Sequence, residues 1–352
     1  MFEKASRIQL PRTVAVGHGV LEDAAEVIGG LHLHGRPLVV TSPTPRTVAA
    51  DRLLEQFESG DLDPALIVVE KASFDSVERV LERARDVEAG YLVGVGGGKA
   101  IDIAKMASDT LQVGFVSVPT AASHDGIVSG RGSVPDGDTR HSVAAGSPVA
   151  VIGDTTVLAD APWELTTAGC ADIISNYTAV KDWRLANRLK GVPYSEYSGA
   201  LAEMTAEMLV DNADLLRPNL EESAWIVLKA LVSSGVAMSI ADSSRPASGA
   251  EHLFSHQLDR IAAEPALHGH QVGVGTVLVE YLHSGPDGDW HAVRDALAQI
   301  GAPTTASELG VSDEEVIEAL ATAHEIRDRY TILGDGVDTG AAREIAEQTD
   351  VV

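Results

Sequence analysis

Short, continuously apolar runs alternate with segments of helical period through the first half of the chain. Runs at 36–42 (RPLVVTS), 65–70 (ALIVVE), 91–95 and 114–118 (GFVSV) predict strands, and their lack of a polar face suits strands covered on both sides. Between them, 45–59, 73–88 and 99–108 carry the spacing of helices. Such alternation predicts an α/β fold, a parallel sheet wound with helices on both faces. Residues 129–153 are rich in Gly, Ser, Pro and Asp, which predicts a hairpin turning near Pro135, Asp136 and Gly137 at a sheet edge. Beyond about Ala161 the period becomes helical throughout, as in 224–240 and 312–327, where Ser312 and Asp313 offer N-cap chemistry ahead of Glu314 and Glu315. The expectation is a dinucleotide-binding domain over 1–160, an all-helical metal- and substrate-binding domain over 161–352, and a site in the cleft between them.

Composition narrows the function. The 352 residues hold 26 Lys and Arg against 52 Asp and Glu, a formal net charge of -26. That field repels nucleic acid and anionic membrane, so neither is an expected partner. With 45% hydrophobic residues the acidity is not that of a disordered chain; spread along the sequence, it resembles the surfaces of proteins from salt-rich cytoplasm. Cys170 stands alone, which excludes an internal disulfide and a thiolate metal cluster. The N-terminal stretch 1–17 lacks the apolar core of a signal peptide, and no apolar run reads as bilayer-spanning. A cytoplasmic protein is expected, without integral membrane association and self-associating as a homo-oligomer.

Three stretches carry chemistry. In 91–105 (YLVGVGGGKAIDIAK) an apolar strand passes through Gly96, Gly97 and Gly98 into a helix, leaving no side chain between an anion and the helix's first amides. The turn matches neither GxGxxG nor the P-loop pattern. The next strand ends in 118–132 (VPTAASHDGIVSGRG), small and hydroxyl-bearing, with His124 and Asp125 at its centre; in an open sheet this loop and the glycine turn face one ligand. Four of the 12 histidines fall between His252 and His270. His252 and His256, four apart, share a helix face, and either His268 or His270 could supply a third imidazole. At the end of the strand over 36–42, Thr41 and Ser42 stand where an acidic residue would repel a 2'-phosphate, and Arg46 follows, so NADPH is expected to be accepted beside NADH.

Taken in order, GGGKAIDIAK, VPTAASHDG, AGCADIISNYTAVKDW, SGAEHLFSH, LHGHQVGVGT and RDRYTIL resemble the superfamily of glycerol dehydrogenases, iron-containing alcohol dehydrogenases and dehydroquinate synthases. The ADIISN, DW and RYTIL elements are similar to the archaeal sn-glycerol-1-phosphate dehydrogenase branch. The resemblance implies a Rossmann-like N-terminal domain, a helical C-terminal domain, and NAD(P)-dependent reduction of a small phosphorylated three-carbon substrate, with a glycerol or other polyol dehydrogenase on the same fold as the alternative, and a dehydroquinate synthase-like lyase or a non-enzymatic metal-binding module more remote. It implies Zn2+ on Asp172, His252 and His268; substrate contacts from Asp125, Asp172 and His256; and NAD(H) or NADP(H) contacts from Gly98, Lys99, Ala100, Ile101 and Asp102, then Thr120, Ala121, Ala122, Ser123 and Ser129. His256 is read as a proton relay or an orienting group, His124 and His270 as packing or supporting residues. Lys181, Arg184 and Arg329 are the basic groups open for a substrate phosphate.

Overall fold

The computed structural model describes residues 8–60, 62–136 and 139–352; the N-terminal residues of the leader reading and the Gly137 of the hairpin reading lie outside them. Six parallel strands form one sheet in the order β1-β8-β5-β4-β2-β3, with β1 at Thr13–Gly17, β2 at Arg36–Thr41, β3 at Ala65–Val68, β4 at Ala89–Gly96, β5 at Gly114–Pro119 and β8 at Ala150–Asp154. Alternate residues of the central strands feed two cores: Leu38, Val40 and Leu92 one, Val39, Val93 and Val95 the other. That two-sided burial is why these runs read as continuously apolar. The chain steps outward from β2 to β3, then crosses back to β4 on the other side of β2. The strand order therefore reverses between β2 and β4, and a crevice opens at their carboxyl ends, beside Thr41 and Gly96.

The 129–153 segment departs from its reading as edge material. β6 (Arg131–Asp136) and β7 (Thr139–Ala144) do pair as an antiparallel ribbon, but that ribbon is separate from the main sheet. The following β8 is an interior strand between β1 and β5, fully buried along Ala150–Asp154. Only helices follow β8. Helix Asp313–Thr322 starts with a reciprocal capping box between Ser312 and Glu315, as its sequence indicates.

A second correction concerns membrane length. Helix Glu221–Ala241 is, by length and composition, long and apolar enough to cross a bilayer, which the sequence reading missed. Here its Val227, Leu228 and Leu231 are buried in the larger core, against helices Glu196–Asp211 and Trp163–Ile174. The apolar girth serves a helix with neighbours on several sides.

The net charge of -26 carries a prediction about stability. Raising KCl from dilute buffer to molar levels shortens the Debye length from about 30 Å to about 3 Å, removing self-repulsion. The melting temperature should rise by several degrees, at about 2–4 °C per kcal/mol relieved. Calorimetry across a KCl series checks this, and a flat or falling curve would refute it.

Candidate active site

Three helices bring the metal-type residues together. Asp172 lies near the end of helix Trp163–Ile174, His252 near the start of helix Ala250–Ile261, and His268 is the first residue of helix His268–Ser284. Glycines let these helices touch backbone to backbone. A Cβ on Gly269 would stand 2.0 Å from the Ala168 carbonyl oxygen, and one on Gly275 would stand 3.0 Å from the Glu251 carbonyl oxygen. One donor atom from each of Asp172, His252 and His268 lies within 4.8 Å of the others. His270, two residues along the same helix, instead meets Thr167 Oγ1 at 2.8 Å through Nε2. His268, and not His270, is therefore the imidazole that lies with Asp172 and His252.

The imidazoles are held from behind. His252 Nδ1 is 3.0 Å from the buried Glu251 Oε1, which leaves Nε2 directed at Asp172 Oδ1, 3.5 Å away. Glu251 also accepts from Thr178 Oγ1 at 2.9 Å. His268 Nδ1 meets Ser255 Oγ at 3.0 Å, and Ser255 in turn accepts from Gln271 Nε2 at 3.1 Å. Outer partners of this kind fix tautomer and ring direction in metal sites. Burial works against charge on His252, but the Asp172 and Glu251 carboxylates outweigh it and push its pKa up to about 9. Burial alone would likewise raise Asp172, yet His252 and the further imidazoles hold it down to about 2. A pocket this negative, with one carboxylate and two imidazoles facing inward, fits a divalent cation.

Asp125 joins the two halves of the molecule. Its backbone N–H donates to Asp172 Oδ2 at 3.0 Å, and its Oδ2 accepts from Ser234 Oγ at 2.9 Å. Burial first, then the neighbouring Asp172 charge, raises its carboxyl to about 7. His256 completes the cluster, its ring centroid 6.4 Å from that of His252 and 5.5 Å from that of His268. Gly98, Lys99, Asp102 and Ser129 line the same cavity of about 330 Å³ as Asp125, His256 and the three metal-type residues.

On the nucleotide side, β4 ends at Gly96 with φ 148°, a conformation suited to glycine, and helix Gly98–Leu111 begins after Gly97. Thr120 N–H donates to the Gly96 carbonyl at 3.0 Å, pinning the loop after β5 to the turn. The first-turn amides have no partner within the helix and suit a pyrophosphate. Ser129 lines the cavity, and its Oγ is buried without a hydrogen-bond partner. Ala100, Ile101, Thr120, Ala121 and Ala122 are buried and only Ser123 is partly open, so this stretch offers the cavity chiefly backbone. Lys99 Nζ reaches the Glu70 carbonyl at 2.8 Å, and Asp102 is paired with the wholly buried Lys105 at 3.2 Å while accepting from Ser133 N–H at 3.1 Å. Arg46 pairs with Asp51 at 3.1 Å on the surface beyond β2.

The comparisons with known proteins give the family and the fold. The family model for iron-containing alcohol dehydrogenase matches residues 15–162. The chain is 75% identical over 352 residues to the glycerol-1-phosphate dehydrogenase [NAD(P)+] of Halobacterium salinarum, covering all of both chains, and 70% identical over 352 residues to that of Haloarcula marismortui. It belongs to the glycerol-1-phosphate dehydrogenase family. Members are oxidoreductases, and so is this chain. The fold is that of the glycerol dehydrogenase of Schizosaccharomyces pombe, with TM-score 0.82 and 18% identity over 99% of this chain and 91% of that one, and of a probable glycerol dehydrogenase from Sinorhizobium meliloti, with TM-score 0.81 and 21% identity over 98% of each.

Glu251 and Arg131 of this glycerol-1-phosphate dehydrogenase family member went unnamed in the sequence reading. Glu251 precedes His252 directly, and the acidic residue beside a candidate ligand histidine was the available signal. His124, read from sequence as a packing or supporting residue, lies over the glycine turn: a Cβ on Gly98 would stand 2.0 Å from its Nε2, while its Nδ1 accepts from Gly126 N–H at 2.9 Å. Two of the proposed phosphate groups are already engaged. Lys181 Nζ pairs with Glu280 at 2.7 Å, and Arg184 is bidentate to Glu203 at 2.7 and 2.8 Å. Arg327 and Arg131 line the cavity instead.

Proposed function

We propose that this chain reduces dihydroxyacetone phosphate to sn-glycerol 1-phosphate with NADH or NADPH, using zinc held by Asp172, His252 and His268, in the cytoplasm and in the service of archaeal ether-lipid synthesis. One observation carries the reading: the Asp172, His252 and His268 donors open onto the same cavity as the glycine turn. The names of the relatives add the cofactor and substrate class. Zinc held there would supply a Lewis acid for the C2 carbonyl oxygen, and a nicotinamide cofactor would supply the hydride.

The chain's own residues do the rest. Glu251 and Ser255 hold the two imidazoles by Nδ1, which leaves their other ring nitrogens for the zinc they would bind. Asp125, with a carboxyl near neutral pH, can accept from or donate to a substrate hydroxyl, and Ser234 fixes its direction. His256 orients the hydroxyl end or relays a proton to the developing alkoxide. Gly98 and the amides after it seat the pyrophosphate, with Ser129 as a further donor. A division at residue 160 belongs to this reading, with the proposed nucleotide groups before it and the metal groups after it. Self-association draws support from Tyr197, Met204 and Met208, apolar side chains left exposed along helix Glu196–Asp211.

The test is the handedness of the product. Asp125 and His256, holding the hydroxyl end of the substrate in the cleft, would leave only one carbonyl face open to a hydride donor. The glycerol phosphate formed should be refused by an enzyme strict for sn-glycerol 3-phosphate. Ready oxidation by that enzyme would overturn the assignment, and reduction of unphosphorylated dihydroxyacetone alone would mark a polyol dehydrogenase.

A further inference from the structure

Four guanidinium groups gather beside the proposed metal site with no carboxylate among them. Arg131 and Arg327 line the cavity, together with Ser244 and Ser248. Arg327 Nη2 donates to Ser248 Oγ at 2.9 Å, but its Nε is buried with no partner. Arg329 donates to the Ser248 carbonyl and to Ser244 Oγ at 2.7 Å, and Arg245 to the Tyr330 carbonyl at 3.3 Å. Among the described residues none of the four makes an ion pair, although the chain carries 52 Asp and Glu. Elsewhere the pattern is the opposite: Arg184, Arg294 and Arg343 each meet a carboxylate.

Collecting like charges under partial burial is costly unless an anion arrives. The cost shows in Arg329, which burial first, then Arg327 and Arg245, bring down to about 9. Arg327 is also lowered, by burial and then by Arg131 and Arg245, with only Glu251 opposing. Hydroxyls and carbonyls orient the guanidinium planes without neutralising them, so the charge stays available. Arginine forks match phosphate oxygens in pairs, which ammonium groups do not.

We infer that Arg327 and Arg131, backed by Arg245 and Arg329, form the subsite for the phosphate dianion of the substrate. This rests on the proposed reduction of a phosphorylated ketone. Ser248 lies four residues before His252, so the cluster and the metal site share one wall of the cavity, while the glycine turn offers the cofactor's pyrophosphate a separate place. The subsite also explains how so acidic a protein admits a dianion: the local field is positive where the phosphate sits, and buried charges are screened less by salt than surface ones.

Zinc-loaded wild type, Arg327→Gln and Arg131→Gln are compared in molar KCl. One guanidinium-phosphate contact is worth about 1.5–3 kcal/mol, or roughly 10–100-fold. In each variant the ratio of kcat/KM for dihydroxyacetone phosphate over dihydroxyacetone should fall by about that factor, with KM for NADH and NADPH moving less than about threefold. An unchanged ratio overturns the subsite. A loss confined to NADPH also overturns it and reassigns the cluster to the cofactor's 2'-phosphate. Titration with inorganic phosphate separates this idea from the reaction itself. Phosphate should raise the wild-type melting temperature and do so less in both variants, even if wild type fails to reduce the phosphorylated ketone. Absence of that rise in wild type, or an equal rise in all three proteins, rejects the subsite.

Discussion

Alanine at Asp172, His252 or His268 is expected to abolish bound zinc and activity together, whereas His256→Ala should keep the metal and lose activity by about 10²–10⁴-fold. The three donors are the ones within 4.8 Å of each other, and His256 stands beside them without belonging to the set. Glu251→Gln separates support from ligation. It leaves all three donors in place but weakens the carboxylate behind His252 Nδ1, so zinc affinity should fall by about 10–100-fold. Metal analysis of the purified variants, with chelator competition for Glu251→Gln, gives the answer. Full zinc occupancy in His268→Ala would shift the third ligand elsewhere, and His270 is a poor alternative because Thr167 already holds its Nε2.

Gly269→Ala should be nearly as disruptive as losing a ligand, although it removes no functional group. The new methyl would stand 2.0 Å from the Ala168 carbonyl oxygen, on the helix that carries Asp172. Backbone cannot rotate away as a side chain can, so the helices must separate, and overpacking of this kind costs about 1–3 kcal/mol or more. The separation also draws His268 from Asp172, so zinc affinity should drop along with the melting temperature. Gly29→Ala, where a Cβ meets nothing within 4 Å, is the control and should be close to neutral. Wild-type zinc affinity in Gly269→Ala would show that the helix contact does not set the site.

The parts of this protein legible in its sequence are those in which local pattern and final environment coincide. Buried parallel strands must be apolar on both faces, so 36–42 and 91–95 could be read as strands without knowing their neighbours. Three glycines between a strand and a helix require an open turn wherever that turn lies, and the Ser312 cap is chemistry within one helical turn. β8 was misplaced because five residues of strand look alike at an edge or in the interior; only pairing with β1 and β5 decides. Helix Glu221–Ala241 escaped notice as a bilayer-length segment because its few charges interrupt the run, while its depth in a helical core depends on its neighbours.

For the site, residue type and order were enough to name Asp172, His252 and His268 as a set by resemblance, since ligand chemistry is a property of the side chain. Their convergence was not available from spacing, because Asp172 and His252 are brought together by helix contacts at Gly269 and Gly275 across long stretches of chain. The same holds for the basic groups. Lys181, Arg184 and Arg327 are equivalent as letters, and what separates them is whether a carboxylate lies within reach: Glu280 takes the first and Glu203 the second, while Arg327 is left facing the cavity. Sequence determined which charges this protein owns and which segments bury themselves. Tertiary structure alone decided which charges cancel, because pairing is a matter of a few ångströms between residues that the chain holds far apart.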